Sequence, residues 1–308
     1  MKRLLPVLVA ATLAATSAHA EWKPSGPIKF WIGFGAGGGT DTQARTLAGE
    51  LEALKGWRII PENKAGGGGA VMAAQLKNAA PDGQTIGLAI NTTFDFATLK
   101  NENISIDDFT YLTMTAGSQT GILARKDSGW KTLEDVAAAA KSGTKIVWSN
   151  WGALVQAGSG VVADKLGIKV NHLRMKGGKA TLNALVAKDA NLAWGGGVQR
   201  GLVAAGEVVI LASAEDKPLV QAPGGKTLKD YGINHYFGFQ FLLAGPKGMK
   251  PEVSKAIIDA IHTVLKNPDS KTRAFISKQY PPEPVLIAGD ALTARLKANF
   301  EANKALVK

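Results

Sequence analysis

Phe34-Gly35-Ala36-Gly37-Gly38-Gly39-Thr40-Asp41 (residues 34–41) joins two segments with different apolar periodicity. The apolar run from Ile28 to Phe34 predicts a β-strand, which the glycines end. After the loop, apolar residues recur at helical spacing along one face: Ala44, Leu47, Ala48, Leu51 and Leu54. Thr40 followed by Gln43 has the spacing of a helix-capping box. The stretch therefore predicts a strand, a glycine-rich loop and a helix in direct succession.

The same alternation continues along the chain. Arg58 to Ile60 predicts a second strand, Gly66 to Gly69 a glycine break, and Ala70 to Asn78 a second helix. Thr85 to Ile90 predicts a third strand. This βαβαβ order is typical of a parallel sheet with helices on both faces, so the fold class is α/β.

A second α/β unit begins with a predicted strand at Gly121 to Arg125. Another strand is predicted at Phe237 to Ala244, and a helical tail starts at Pro251. The two units are either separate domains that follow one another along the chain, or two lobes between which the chain crosses twice. Two crossings would assign residues 21–122 and 242–308 to the first lobe and residues 123–241 to the second.

The first twenty residues have the composition of a secretory signal peptide. Lys2 and Arg3 are basic, Leu4 to Ala15 is apolar, and Ala18-His19-Ala20 is a small-x-small cleavage signal. We expect cleavage after Ala20 and export to the periplasm. There are no cysteines, which excludes disulfides, thiolate metal sites and a lipid-acylated cysteine.

The charge balance favours an anionic small ligand over nucleic acid. The formal net charge is +11, or +9 once Lys2 and Arg3 are removed. The basic residues are interspersed with acidic ones and form no run of five or six, so we expect no nucleic-acid partner. A diffuse positive field suits a small anion.

The loop at residues 34–41 is suited to bind such an anion. It follows a strand and opens a helix, which is where ligands lie in open parallel sheets. The first turn of a helix leaves N–H groups unpaired, and the helix dipole favours negative charge there. A carboxylate or a phosphate would fit; the alternative is that the Thr40 hydroxyl serves only as the helix cap. Gly66 to Gly69 opens a second helix, whose dipole would converge with the first.

Two other glycine-loop motifs fit less well. A dinucleotide-binding G-x-G-x-x-G matches at Gly35 and Gly37, but Thr40 occupies the third glycine position. A phosphate-binding P-loop requires a lysine before the Ser or Thr, and Gly39 stands there instead.

Three segments together resemble a known family. They are Gly37-Gly38-Gly39-Thr40-Asp41, then Glu62-Asn63-Lys64-Ala65 with its four following glycines, and then Ala79-Ala80-Pro81-Asp82-Gly83-Gln84-Thr85-Ile86. The order is similar to that of the periplasmic solute receptors of tripartite tricarboxylate transporters, also called the Bug family. The resemblance is strongest over Ile28 to Thr93 and extends more weakly to the end of the chain.

The resemblance implies a two-lobed clamshell of the type II periplasmic-binding-protein kind, with the ligand cleft between the lobes. We expect a monomer that needs no cofactor. The resemblance also implies capture of a small organic carboxylate, whether a di-, tri- or aromatic acid, for delivery to a two-component integral-membrane permease. A receptor subunit that reports its ligand to a membrane signalling protein is the alternative that the same clamshell allows.

Carried over by position, the resemblance implies ligand-binding residues on both lobes. Those on the first lobe are Phe34, Gly35, Ala36, Gly39, Thr40, Asp41, Asn91, Thr92 and Thr93. Those on the second lobe are Ser149, Asn150, Trp151, Gln156, Lys176 and Trp194. We expect Asp41 to order the first loop, because its carboxylate would repel an anionic ligand.

The second lobe departs from the family pattern at two tryptophans. One hypothesis is that Trp151 and Trp194 form an aromatic wall for an aromatic or longer-chain acid; the other is that both pack in the core. Lys176 would pair with a second carboxylate or remain solvated.

An enzyme is the less favoured class. His172, His235 and His262 lack partners at metal-ligand spacing, and no G-x-S-x-G nucleophile elbow is present. We therefore predict no catalytic residues, no metal site and no secreted hydrolase.

Overall fold

The computed structural model describes residues 22–100, 103–280 and 283–307. The predicted signal peptide and the cleavage site after Ala20 lie outside these residues. Within the described ranges, none of the helices is both long enough and apolar enough to cross a membrane.

Ten strands form two five-stranded sheets, one in each lobe. The strands are β1 (Ile28–Ile32), β2 (Ile59–Asn63), β3 (Thr85–Ile90), β4 (Phe109–Ala116), β5 (Gly121–Arg125), β6 (Ile146–Asn150), β7 (Val170–Arg174), β8 (Leu192–Gly195), β9 (Val208–Ser213) and β10 (Phe241–Pro246). The first sheet has the order β2-β1-β3-β10-β4, and the second has the order β7-β6-β8-β5-β9.

Helices cover the sheets. They are α1 (Gly39–Lys55), α2 (Ala70–Leu76), α3 (Asn91–Phe94), α4 (Leu133–Lys141), α5 (Ala153–Leu166), α6 (Gly178–Val186), α7 (Arg200–Ala204), α8 (Pro251–Lys266), α9 (Lys271–Gln279) and α10 (Gly289–Asn303). The first helix packs against α8 and α9, so the helical tail belongs to the first lobe.

The two sheets share one plan. In the first, β1 pairs in parallel with β2 and β3, while β10 pairs antiparallel with β3 and β4. In the second, β6 pairs in parallel with β7 and β8, while β5 pairs antiparallel with β8 and β9. Each sheet therefore receives one antiparallel strand directly after the chain has crossed from the other lobe. The two-lobed α/β architecture is the predicted one.

The chain crosses between the lobes at residues 117–120 and again between β9 and β10. The strand β5 lies wholly in the second sheet, where Gly121 pairs with Gly195 and Ser213. The boundary expected after residue 122 would place Gly121 and Ile122 in the first lobe, but both lie in the second. Phe241 opens β10 in the first sheet and pairs with Ile90.

Hydrogen bonds join the two crossing segments. The Ser118 hydroxyl donates to Glu215 Oε1 (2.6 Å) and accepts from the backbone N–H of Phe239 (2.8 Å). The backbone N–H of Thr120 donates to the same Glu215 oxygen (2.7 Å). These bonds hold the two crossings side by side, as a hinge between lobes requires.

Two sequence expectations about helix starts are wrong. The helix α1 begins at Gly39, with Gly38 as its N-cap and without a side-chain cap, so Thr40 does not form the predicted capping box. Its partner Gln43 accepts a hydrogen bond from Thr115 instead. The sequence also predicts a second-lobe helix only near Gly160 to Leu166, whereas α5 begins earlier, at Ala153.

Candidate ligand-binding cleft

Two cavities lie between the lobes, and Trp151 lines both. The first has a volume of about 40 Å³ and the second about 130 Å³. Since one water needs roughly 10–15 Å³ of cavity volume, the first has room for two or three waters or one carboxylate group. The second has room for a small organic molecule.

Helix starts from opposite lobes face the first cavity. Gly38 and Gly39 at the start of α1 line one side, and Gly177 and Gly178 at the start of α6 line the other. Thr40 in the first turn of α1 also lines this cavity. The first N–H groups of both helices have no intrahelical partner, so both helix dipoles favour an anion here.

Aromatic side chains form the rest of the first cavity. Phe34 contacts Trp151 edge to face, with ring centroids 6.4 Å apart, and Trp151 contacts Phe239 at 5.1 Å. The chain of edge contacts continues from Phe239 to Phe241 at 5.2 Å and from Phe241 to Tyr280 at 4.8 Å. All the described residues that line this cavity are uncharged, so its polar character comes from backbone N–H groups and from polar side chains such as Thr40 and Tyr280.

Tyr280 lies between the lobes at this cavity. A Cβ added at Gly39 would overlap the Tyr280 hydroxyl, and one added at Gly197 of the second lobe would overlap the Tyr280 ring. Burial raises the pKa of Tyr280, so the hydroxyl stays protonated at neutral pH and is able to donate. The two glycines are therefore what allows the lobes to close on this side chain.

Asp41 holds the first loop in shape. Its Oδ2 accepts from the backbone N–H of Gly37 (2.9 Å), and its Oδ1 accepts from Arg45 Nε (2.8 Å) and Asn63 Nδ2 (2.8 Å). Burial works to raise the pKa of Asp41, but the bonds from Gly37, Asn63 and Arg45 outweigh it and leave that pKa lowered. Both carboxylate oxygens are thus used within the first lobe, as an ordering role requires.

Direct contacts close the lobes around the cavities. The backbone N–H of Gly35 donates to the carbonyl of Lys176 (2.9 Å), and Arg200 Nη1 donates to the carbonyl of Lys278 (2.6 Å). A Cβ at Gly68 would lie 3.0 Å from the Cα of Gly152. Backbone therefore meets backbone across the closed cleft at Gly35 and at Gly68.

The second cavity has a polar wall on the second lobe. Asn150 at the end of β6, Gln156 in the first turns of α5 and Arg174 at the end of β7 all line it, opposite Gly67 and Gly68 of the first lobe. Asn150 is 2% exposed and Trp151 is 5% exposed. Among the described residues, Asn150 Nδ2 and the Trp151 indole Nε1 have no hydrogen-bond partner.

The structure brings only part of the predicted site together. Phe34, Gly39 and Thr40 line the first cavity, Asn150 and Gln156 line the second, and Trp151 lines both. Gly35 and Lys176 contribute the backbone bond across the cleft, while the Lys176 side chain is exposed. Ala36 is exposed on the loop. Ala36 and Lys176 therefore line neither of the two cavities.

Trp194 does not belong to the cleft. It is fully buried within the second lobe, stacked on Trp148 with ring centroids 5.4 Å apart. Its indole N–H donates to the Ser159 hydroxyl (2.8 Å). Ser149 is also a packing residue, because its buried hydroxyl donates to the carbonyls of Thr181 and Leu192 (3.1 and 3.2 Å).

The predicted residues after β3 support the cleft from behind. Asn91 donates to Asp95 Oδ2 (2.8 Å) and accepts from the backbone N–H of Gln240 (2.7 Å). Thr93 donates to the carbonyl of Gly68 (2.7 Å), and Thr92 is buried. Ile90, the residue before them, is the one that lines the first cavity.

Sequence reasoning missed several lining residues. Phe239, Phe241 and Tyr280 reach the cleft from the second crossing and the helical tail, and no local motif marks them. Arg174 could have been identified from the sequence, because it ends the parallel strand β7 and ligands of open parallel sheets lie at strand ends.

Comparisons with known proteins agree with this geometry. The sequence profile described as the tripartite tricarboxylate transporter family receptor matches residues 43–280. A relative from Cupriavidus necator, the UPF0065 protein in the gbd 5' region, is 29% identical over 82% of this chain and 78% of its own. The periplasmic binding protein BugD has the same fold, with a TM-score of 0.81, 24% identity, and coverage of 92% of this chain and 97% of its own.

A second solved structure, MatC from Rhodopseudomonas palustris with bound malate, has a TM-score of 0.80 at 21% identity. It covers 93% of this chain and 100% of its own. These structural likenesses show the two-lobed fold, and the profile match covers well over half of the sequence. The chain therefore belongs to the tripartite tricarboxylate transporter receptor family, which consists of solute-binding receptors and not of enzymes.

Proposed function

We propose that this protein captures a small organic carboxylate in the periplasm and delivers it to a two-component integral-membrane permease. The observation that carries the proposal is the first cavity, where helix starts from both lobes meet around a space of about 40 Å³. A carboxylate there would accept hydrogen bonds from α1 of one lobe and α6 of the other, so binding would favour the closed cleft. The malate bound by MatC supports the same ligand class.

A thermal-shift and calorimetric screen tests the ligand class. The panel consists of di-, tri- and aromatic carboxylates, each paired with its neutral amide as a matched control. A carboxylate at 100 times its dissociation constant is expected to stabilise the protein by about 2.7 kcal/mol, and its amide by much less. If no acid on the panel stabilises a folded sample, or if the amides act equally, the carboxylate assignment is wrong.

Export and delivery are tested in cells. We expect the periplasmic fraction to contain the chain beginning at Glu21, which intact-mass measurement would show. Deletion of the gene is expected to abolish uptake of the identified acid, and re-expression is expected to restore it. Unchanged uptake after deletion would contradict the delivery role.

A further inference from the structure

We propose that the edge strand β7 of the second sheet is a docking surface for an extended acidic segment of another protein. The segment would add to the sheet as a further strand beside β7. This inference goes beyond ligand capture and does not depend on which solute the cleft binds.

Two of the four sheet edges are covered by other parts of the chain. At the edge strand β4, the backbone N–H of Met114 donates to the carbonyl of Ile287 (2.9 Å). At the edge strand β9, the backbone N–H of Ser213 donates to the carbonyl of Lys226 (2.8 Å). Neither edge is free to pair with a second chain.

The edge strand β2 is protected by its own sequence. The backbone N–H of Ile59 points away from β1 and donates to Glu52 Oε1 (2.7 Å). Pro61, two residues further along, faces the same way and has no N–H to donate. Proline on an edge strand opposes the addition of another strand.

The fourth edge, β7, is open. Its inner side pairs with β6, and the N–H of Met175, just after the strand, donates to the carbonyl of Asn150 (2.8 Å). Because backbone groups alternate in direction along a strand, those of Val170, His172 and Arg174 point away from β6. These outward groups form no hydrogen bond within the described residues. An open edge without proline is able to accept an extended chain.

Positive charge is concentrated around this edge. Residues 141–179 include β6, α5 and β7 and contain seven basic residues and one acidic residue, Asp164, a net charge of +6 out of +11 for the whole chain. All seven basic residues are exposed, and none forms an ion pair with another described residue. They are Lys141, Lys145, Lys165, Lys169, Arg174, Lys176 and Lys179. Folding thus brings together charges that are spread along the sequence.

Basic residues stand at both ends of β7. Lys169 directly precedes the strand and lines a groove of about 450 Å³ together with Lys141 and Lys145. Arg174 is the last residue of the strand. No acidic residue lines the groove in the described part of the chain. A five-residue strand is about 16 Å long, so an extended segment of similar length reaches from one group of cations to the other.

The combination of charge and open backbone determines which partner fits. A second copy of this chain would bring like charges together at the edge, which opposes pairing of β7 with β7. A lipid surface would attract the lysines but would leave the outward backbone groups of β7 without strand partners. An extended acidic segment satisfies both the charges and the backbone.

Fluorescence anisotropy with synthetic peptides tests the docking surface. The probe is a labelled peptide in which glutamate alternates with valine or threonine. One control peptide has glutamine in place of every glutamate, which removes the charge. A second control keeps the charge but is methylated on every backbone nitrogen, so it cannot donate to a neighbouring strand.

One pair of variants tests the backbone of β7. His172→Pro removes an outward N–H, as Pro61 does in β2, whereas His172→Ala keeps it. Burial and the charge of Arg174 lower the pKa of His172, so neither substitution changes the net charge at neutral pH. Thermal unfolding confirms that both variants fold.

A second pair of variants tests the charge. Lys145→Glu with Lys169→Glu reverses two charges at the groove, and Lys29→Glu with Lys297→Glu reverses two charges on exposed residues of the first lobe. This pair also keeps the inference testable should His172→Pro fail to fold.

The wild-type protein is expected to bind the acidic peptide, and both control peptides about tenfold more weakly. His172→Pro and the double substitution at the groove should each weaken binding of the acidic peptide by about tenfold. His172→Ala and the first-lobe control should stay within about twofold of the wild type.

Three outcomes overturn the inference and leave the proposed function unaffected. In the first, the acidic peptide does not bind the folded wild-type protein. In the second, the methylated peptide binds equally well and His172→Pro behaves like His172→Ala, so charge alone acts; binding to phosphatidylglycerol vesicles that the groove substitutions abolish would then identify a lipid surface. In the third, sedimentation shows a dimer that His172→Pro dissociates, which would identify a second copy as the occupant.

Discussion

The first cavity lies between the starts of α1 and α6, and the second lies beside the start of α5. Around the first, Phe34, Phe239 and Tyr280 supply aromatic surface, and the described lining residues are uncharged. Around the second, Asn150 and Arg174 supply donors and charge. Helix starts thus place positive potential at both cavities, while the side chains that line them differ in charge and polarity.

The two cavities also differ in how closure forms them. The first is sealed by Tyr280, which fits only because Gly39 and Gly197 have no side chains. The second is bounded by a close approach of Gly68 to Gly152 and keeps unpaired donors in the closed form. The first cavity should therefore be sensitive to shape and the second to charge.

Two tryptophans of the second lobe provide the largest expected effect. Trp194→Ala removes a fully buried ring stacked on Trp148 and is expected to lower the free energy of unfolding by about 3–5 kcal/mol. Trp151→Ala is expected to weaken ligand binding, with a smaller loss of stability, because Trp151 lines both cavities. Urea unfolding and calorimetry on both variants measure this. Equal stability losses with unchanged affinity for Trp151→Ala would remove Trp151 from the site.

The roles of Trp151 and Trp194 could not be predicted from the sequence alone. Both follow or end strands of the second lobe, and both are large and apolar, so the sequence left their roles open. Their roles differ because of packing: Trp194 points to Ser159 inside the lobe, while Trp151 extends to Phe34 and Phe239 across the cleft. Such contacts depend on residues far apart in the chain.

Most strands and helices were predictable because their apolar periodicity is local. The start of α5 was missed because Gly158 and Gly160 weaken the helical pattern there. Gly158 is required by packing, since a Cβ would lie 2.9 Å from the Phe237 ring. Strand β4 was missed because its sequence, Phe109–Ala116, mixes threonines with apolar residues, although both of its faces are largely buried.

A buried carboxyl behind the first cavity gives the next effect. Asp95 is fully buried; it accepts from Asn91, which follows the lining residue Ile90, and from Asn299 (3.3 Å). Burial raises the pKa of Asp95 to about 6, from an ordinary value of 3.8. Between these pH values the folded state holds a proton that the unfolded state has lost. Stability from this group therefore falls as pH rises from about 4 to 6 and is level above.

Comparison of the wild-type protein with Asp95→Asn isolates this group from the histidines. The difference in unfolding free energy between the two proteins is expected to change by about 2 kcal/mol between pH 4 and pH 6. It should stay constant from pH 7 to pH 8. Urea unfolding at each pH provides the measurement, and a difference that does not vary with pH would show that Asp95 ionises normally in the folded protein.

The smallest expected effect is that of Gly39→Ala, which changes the shape of the cleft without changing its charge. In Gly39→Ala the new methyl group overlaps the Tyr280 hydroxyl, so either the ring moves or the lobes stay slightly apart. Overpacking of this kind costs about 1–3 kcal/mol, so we expect affinity to fall about tenfold for mono- and dicarboxylates alike.

Gly49→Ala is the matched control for Gly39→Ala. It lies in the same helix, and an added Cβ would have no neighbour within 4 Å. This variant should bind normally and gain a few tenths to about 1 kcal/mol of stability from helix propensity. If Gly39→Ala binds as well as Gly49→Ala, Tyr280 moves freely and the first cavity is not selective for shape.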